Sequence, residues 1–560
     1  MKRGNGHRLL AILLALVLII GFGANIPLAF ADEGGTDIAG YVSGEVLALA
    51  DSLEQAYEMA AEYRLELKSY AYGVAVFLTP DPERAVMDSQ RTRSNLPKLS
   101  LNRIYTLFET TTYEPRLAPS SLIVRSGLMV RAAEFTLQYH HADMQTKEVW
   151  EFSTGAGVLV AVIDTGIDTT HPEFTGRISG DSYNAYTNQI GLEYVIDTQG
   201  HGTHVAGIIA ASDSDGNDVS GVAPDAELLV IKASLPNDQF DSASMIRGIN
   251  YAAMHNAVII NISFGLPFSE GTDPTEQTAI ENAVAAGVTI ICAAGNSSDS
   301  HAAYPAAYED AIAVSGLKQG LEFDGSYSNY GPEIAISAPG TAIYSTDKGG
   351  EYRTLNGTSM AAPNVAGVAA LIKELHPEYT PAAIRAILCE TATDRGDLAW
   401  DQYYGYGAVN AYAAVDRPNI TTTVLPNGVI GAVYEQTLAA AGKTPITWGF
   451  EGNLPTGTAL TTEGVIFGTP ATAGTFTFTV LATNGAGSDS EEFSVTIYKA
   501  ELVGTVTISG AAELDEQLTA VTTGLTTTPA GGGYGNTDIS VAARRHGYRN
   551  GQRRLYARAG

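Results

Sequence analysis

The sequence predicts a parallel α/β core, preceded by a small α+β unit and followed by a β-sandwich. Three observations predict it. Apolar strands alternate with helical stretches from Val158 to Val314, a shorter strand–helix–strand pattern precedes them, and two-period alternation takes over after Pro418. Continuous apolar strands separated by helices imply a parallel sheet covered on both faces. In such sheets ligands bind at the carboxyl ends of the strands.

The totals fit this plan. At 560 residues, 45% hydrophobic and 17% charged, the chain has room for more than one packed domain and is too apolar for disorder. A net charge of −29 argues against nucleic acid as a partner, because phosphate binding needs a clustered basic surface. Only two cysteines occur, Cys292 and Cys389, both inside apolar elements, so two free thiols are expected rather than a disulfide framework.

Residues 1–31 read as an export signal: Lys2, Arg3 and Arg8, then the apolar run Leu9 to Phe22, then Ala29-Phe30-Ala31 for the peptidase. The run is shorter than the ~20 residues that span a bilayer, so an exported, soluble mature protein is expected. Residues 32–118 hold strand candidates at Glu45–Ala50 and Val74–Leu78, with an amphipathic stretch at Ser52–Tyr63 and a polar interruption at Ser89–Pro97. A unit of this size between signal and core is most simply a pro-region.

Residues 119–417 carry the core. Its strands are Val158–Ile163, Leu228–Ile231, Val258–Ile262, Val288–Ala294 and Ala311–Val314, and its helix candidates are Gly202–Ala211, Ser242–His255 and Thr275–Ala286. Thr358–Leu375 is a small-residue helix, and Thr380-Pro381 caps the next one. Residues 418–498 alternate as a sandwich does, as in Thr475–Val480 and Phe493–Ile497. Residues 499–560 begin another β module at Gly504–Gly510 and end in a tail with six arginines from Arg544. That tail reads either as a basic arm or as a truncated or out-of-frame end.

Three segments carry chemistry. Asp164 ends a buried strand in Val162-Ile163-Asp164-Thr165-Gly166, His201 opens a helix in Gly200-His201-Gly202-Thr203-His204, and Ser359 sits at a helix start in Asn356-Gly357-Thr358-Ser359-Met360-Ala361-Ala362-Pro363. A serine hydroxyl needs a base to take its proton, and an imidazole serves when a carboxylate fixes its tautomer. His201 and His204 with Asp164 also suit a metal, although no Glu follows His201 as the zinc-protease pattern requires. A lone Asp-Thr-Gly suggests an aspartic protease, but the second copy that chemistry needs does not occur.

The three motifs, in the order Asp, His, Ser, resemble those of the subtilase family over roughly Phe135 to Val415. The resemblance implies a subtilisin-like fold and a secreted serine endopeptidase working through an acyl-enzyme. Asp164, His201 and Ser359 would form its triad, with Asn296 in Ala293-Ala294-Gly295-Asn296 as oxyanion donor. It implies protein or peptide substrates paired with Ser263-Phe264-Gly265, and no organic cofactor. The opposite edge, Leu235 to Phe240, lacks the family's glycines and introduces Pro236. Structural calcium is implied at Asp213–Asp218, through Asp215 and Asn217 with Glu173, against the alternative of a solvated acidic loop. The N-terminal unit resembles the family's inhibitory pro-regions, cut off by Ser359. Ile420–Ile497 resembles bacterial immunoglobulin-like modules, which serve as spacers or contact cell surfaces and polysaccharides. An inactive protease-like binding protein and a processing protease for one partner are the rival readings.

Overall fold

The computed structural model describes residues 40–92, 95–108, 138–213, 219–442, 445–484 and 487–499, with four short strands by backbone alone between 501 and 528. The signal reading at 1–31, residues 109–137, Asp215, Asn217 and the arginine tail lie outside the described residues. Among those described, no helix is long and apolar enough to cross a membrane.

The N-terminal unit runs β1 (Tyr41–Leu49), α1 (Leu53–Tyr63), β2 (Glu66–Ala71), β3 (Val74–Leu78), α2 (Pro82–Arg91) and β4 (Ser100–Leu107). Ser52 caps α1 by accepting from the Gln55 amide, and Asp81 caps α2 ahead of Pro82. The polar stretch from Ser89 therefore begins in a helix, which its low apolar content concealed. The strands order as β4-β1-β3-β2. Their two faces are buried differently. Val46, Ala48, Ala75 and Phe77 pack with α1, whereas Leu47, Val74 and Val76 pack against Ala243, Ile246 and Ala279 of the core. Burial on both faces explains why Val-Leu-Ala-Leu-Ala and Val-Ala-Val-Phe-Leu are continuous rather than alternating.

The core is built from β5 (Leu159–Asp164), α3 (His201–Ala210), β6 (Glu227–Lys232), α4 (Ser242–Met254), β7 (Ile259–Ile262), α5 (Pro274–Ala285), β8 (Thr289–Ala293), β9 (Ala311–Lys318), β10 (Ile334–Pro339), α6 (Thr358–Leu375) and α7 (Pro381–Glu390). The order β9-β8-β7-β5-β6 is parallel throughout, so carboxyl ends fall on one edge. Helix α6 is buried from Thr358 to Lys373, and its small residues let neighbours close in. A Cβ on Gly367 would meet the Val222 Cβ at 2.5 Å. Cys292 is buried, Cys389 half-buried, and both are free.

After Pro418 a four-stranded and a three-stranded sheet enclose a separate core of Leu425, Tyr434, Ile466, Phe478, Val480, Phe493, Val495 and Ile497. Alternate residues of Gly474–Asn484 and Gly487–Tyr498 point inward, as two-period patterning requires. The module meets the core through polar contacts: Arg417, itself paired with Glu390, donates to the Ser488 carbonyl, and the Asn484 side-chain amide donates to the Asp416 carbonyl.

Candidate active site

Register brings the site together. Ile163 pairs with Ile262, and Ile262 with Cys292, so Asp164 and Ala293 end their strands level with Ser263, the residue that follows β7. Asn296 follows three residues after Ala293.

Asp164 is fully buried, and its Oδ1 lies 2.8 Å from His201 Nδ1. With Nδ1 donating to the carboxylate, Nε2 is left as the basic nitrogen, and it has no hydrogen-bond partner among the described residues. Helix α3 is held in place by Asp197. Its Oδ1 accepts from the Gly200 amide (2.8 Å), and its Oδ2 from the Thr203 amide (2.9 Å) and hydroxyl (2.7 Å). Burial pushes the Asp197 pKa up, but these hydrogen bonds together outweigh it and hold the carboxyl below its ordinary value. Gly202 lies so close that a Cβ would stand 2.2 Å from the Gly166 carbonyl oxygen. That fixes the Asp164 turn against the His201 helix.

His204 does not converge on Asp164 with His201. Its Nε2 lies 3.1 Å from the Arg353 carbonyl, and burial, then the Arg353 charge, lower its pKa to about 3. It is a neutral structural histidine, and no three His, Cys, Asp or Glu side chains among the described residues are grouped to hold a metal. Asp168 caps a turn through Thr170 and accepts from the Gly349 and Gly350 amides.

Ser359 is at the second position of α6. Its Oγ donates to the Ser263 carbonyl at 2.9 Å, and its own carbonyl accepts from the Ser263 hydroxyl at 3.2 Å. Pro363, four residues on, has no N–H to offer that carbonyl, which frees it for this contact. Asn296 is locked from its oxygen side: Oδ1 accepts from the Thr358 amide (2.9 Å) and hydroxyl (2.8 Å). Its nitrogen is therefore the donor end, as an oxyanion ligand requires.

The cleft between two short edges is filled by β4. Phe264 and Gly265 pair with Leu107 and Thr106 on one side; Phe240 and Asp241 pair with Tyr105 and Ile104 on the other. The edge that lacks the family's glycines therefore still forms a strand, entered by a tight turn in which the Leu235 amide donates to the Gln239 carbonyl at 2.7 Å. Glu173 is fully buried, its Oε1 accepts from the Tyr352 hydroxyl at 2.7 Å, and its carbonyl accepts from the Ser212 amide at the start of the acidic loop. Sequence reasoning missed what Asp197, Thr358 and Pro363 do, although Thr358 and Pro363 lie within the Ser359 motif itself. It also missed β4 and Glu276, for which only the fold gives a reason.

A buried serine, histidine and carboxylate at one sheet edge, facing a strand-shaped cleft, define a serine peptidase. Residues 155–407 match the Peptidase_S8 model of the subtilase family, and 417–498 match an Ig-domain model. The chain is 39% identical over 269 residues to subtilisin DY of Bacillus licheniformis, covering 46% of this chain and 91% of that protein. It is 41% identical over 261 residues to subtilisin BL of Lederbergia lenta, covering 47% and 91%. In fold it resembles fervidolysin from Fervidobacterium pennivorans, a keratinolytic enzyme related to subtilisin, with a TM-score of 0.58, 22% identity and coverage of 86% and 81%. The chain belongs to the subtilase family and is a subtilisin-type serine peptidase.

Proposed function

We propose that the protein is a secreted endopeptidase made as a self-processed zymogen, with Asp164, His201 and Ser359 as its triad. Ser359 Oγ attacks the scissile carbonyl and His201 Nε2 takes its proton; Asp164 holds the imidazole and stabilises its charged form. The Asn296 amide and the Ser359 backbone N–H receive the oxyanion; in subtilisin itself, losing such a side-chain donor costs about 10²–10³ in turnover. His201 then protonates the leaving amine, and water repeats the sequence to release the acid.

The observation that carries this reading is β4 lying as an extended peptide between both cleft edges. One residue beyond the Leu107–Phe264 pair, Phe108 comes opposite Ser263, whose carbonyl is the Ser359 hydroxyl's acceptor. The Phe108 ring lies over Gly265, where a Cβ would stand 2.6 Å from its Cζ. This supports a cut between Phe108 and Glu109, inside the pro-region bounds of 32–118, with residues 119–417 as the catalytic domain and 418–498 as an accessory module for surface contact. The test is expression of wild type and Ser359→Ala, read by intact mass and casein cleavage. Wild type should lose the chain before Glu109 and cut casein at many sites, and the variant should do neither. Equal behaviour would sink the triad, and a single cut would favour the one-partner processing reading.

Structural calcium belongs to the same proposal. Buried Glu173, whose carbonyl accepts from the Ser212 amide just ahead of Asp213, is a donor suited to a hard cation. A chelator should then lower the thermal midpoint of the processed enzyme, and excess calcium should restore it; an unchanged midpoint removes calcium from the account.

A further inference from the structure

Beside the cleft, one buried carboxyl has no part in the chemistry above. Glu276, in the first turn of α5, is fully buried, and its Oε2 lies 2.5 Å from the Tyr105 hydroxyl of β4. Asp273 already caps this helix through the Thr275 and Glu276 amides, so Glu276 is not needed there and turns inward. The Tyr105 ring is equally buried. It stands edge-on to Phe264 at 6.2 Å, and Phe264 stacks on Phe240 at 3.9 Å. Phe240 and Phe264 are the strand residues that pair with β4, so the pocket belongs to the peptide-binding edges themselves.

We propose that Phe240, Phe264 and Glu276 form a selectivity pocket for a tyrosine side chain three residues before the residue that precedes the cut, with the Glu276 carboxyl reading the phenol hydroxyl. The inference rests on the endopeptidase reading and deepens it. An apolar pocket alone distinguishes tyrosine from phenylalanine weakly. A buried group left without its partner penalises the analogue lacking the hydroxyl by orders of magnitude. Burial pushes the Glu276 carboxyl up to about 8, against the Tyr105 hydrogen bond, while Asp273 adds to the rise and Arg103 opposes it. The seated carboxyl is therefore protonated at neutral pH and suits an uncharged hydroxyl.

The test uses the full chain after self-processing and two peptide p-nitroanilides, Tyr-Thr-Leu-Phe and Phe-Thr-Leu-Phe. Wild type should favour the tyrosine peptide by about 10-fold or more in kcat/KM, chiefly through KM. Glu276→Leu should bring the ratio to about one or below, and Glu276→Gln, which keeps a hydrogen-bonding end, should retain a tyrosine preference. The ratio within each variant cancels differences in the amount of folded enzyme. A wild-type ratio near one overturns the proposal, even if the leucine variant fails to fold. So does an unchanged ratio in Glu276→Leu. If wild type cuts neither peptide nor casein, the endopeptidase reading fails first, and this inference falls with it.

Discussion

Two units flank the catalytic core, and they are stabilised in opposite ways. The C-terminal module closes its own core between two sheets and touches the catalytic domain through a few polar groups around Asp416 and Arg417. The N-terminal unit closes one face with α1 and leaves the other to α4 and α5 of the core, through Leu47, Val74 and Val76. Each of those side chains gains roughly 1.5–3 kcal/mol by burial. Together they rival the whole net stability of a domain this small. The lesson is that an appended unit can borrow its second layer from its host, and then its fold and its docking are one event.

Excision breaks the comparison most directly. Residues 418–499 alone should unfold cooperatively, with dispersed side-chain NMR signals, whereas residues 40–108 alone should show little tertiary structure. Adding the self-processed wild-type core, blocked at Ser359 by a covalent serine inhibitor, should fold the N-terminal unit. A cooperative transition for isolated 40–108 would defeat the borrowed-layer account.

Acid separates the regions more gently. Burial is the first cause of the low pKa of His140, of His141 at about 4 and of His204 at about 3. Their folded values are depressed, so the unfolded chain binds the proton first. Their contribution is complete above the unfolded value of about 6.5 and is lost as pH falls toward the folded values, at about 1.4 kcal/mol per pH unit for each. The module from 418 to 498 contains no histidine. Calorimetry of the intact processed chain between about pH 7 and 4 should show the core's transition moving down faster than the module's. Parallel movement would mean that these histidines do not govern the slope.

The core was legible because its strands are apolar throughout and end in turn or chemical residues. Val158–Ile163 and Val258–Ile262 each differ by one position from the strands observed. The module was legible from alternation alone. What escaped were features set by partners distant in the chain. Ser100–Leu107 mixes Ser, Asn, Arg and Thr with apolar residues, and it is a strand because two edges of the core receive it. Glu276 reads as an ordinary first-turn acid of a helix, and only the arrival of Tyr105, 171 positions away, gives it another use. Among the site residues, those in contiguous motifs could be read, whereas Thr358 and Asp197 act by holding neighbours and carry no chemistry of their own to advertise.

The strand between the two cleft edges also bears on how newly made copies behave together. Phe240–Asp241 and Phe264–Gly265 each present backbone N–H and C=O groups across an open groove, and bare edges of this kind are where chains join into aggregates. Because every copy carries β4 on its own chain, the groove is filled at an effective concentration that neighbouring copies do not match. On the self-processing proposed above, the uncut chain can therefore crowd during synthesis without its copies zipping edge to edge, and that exposure would begin only with the cut.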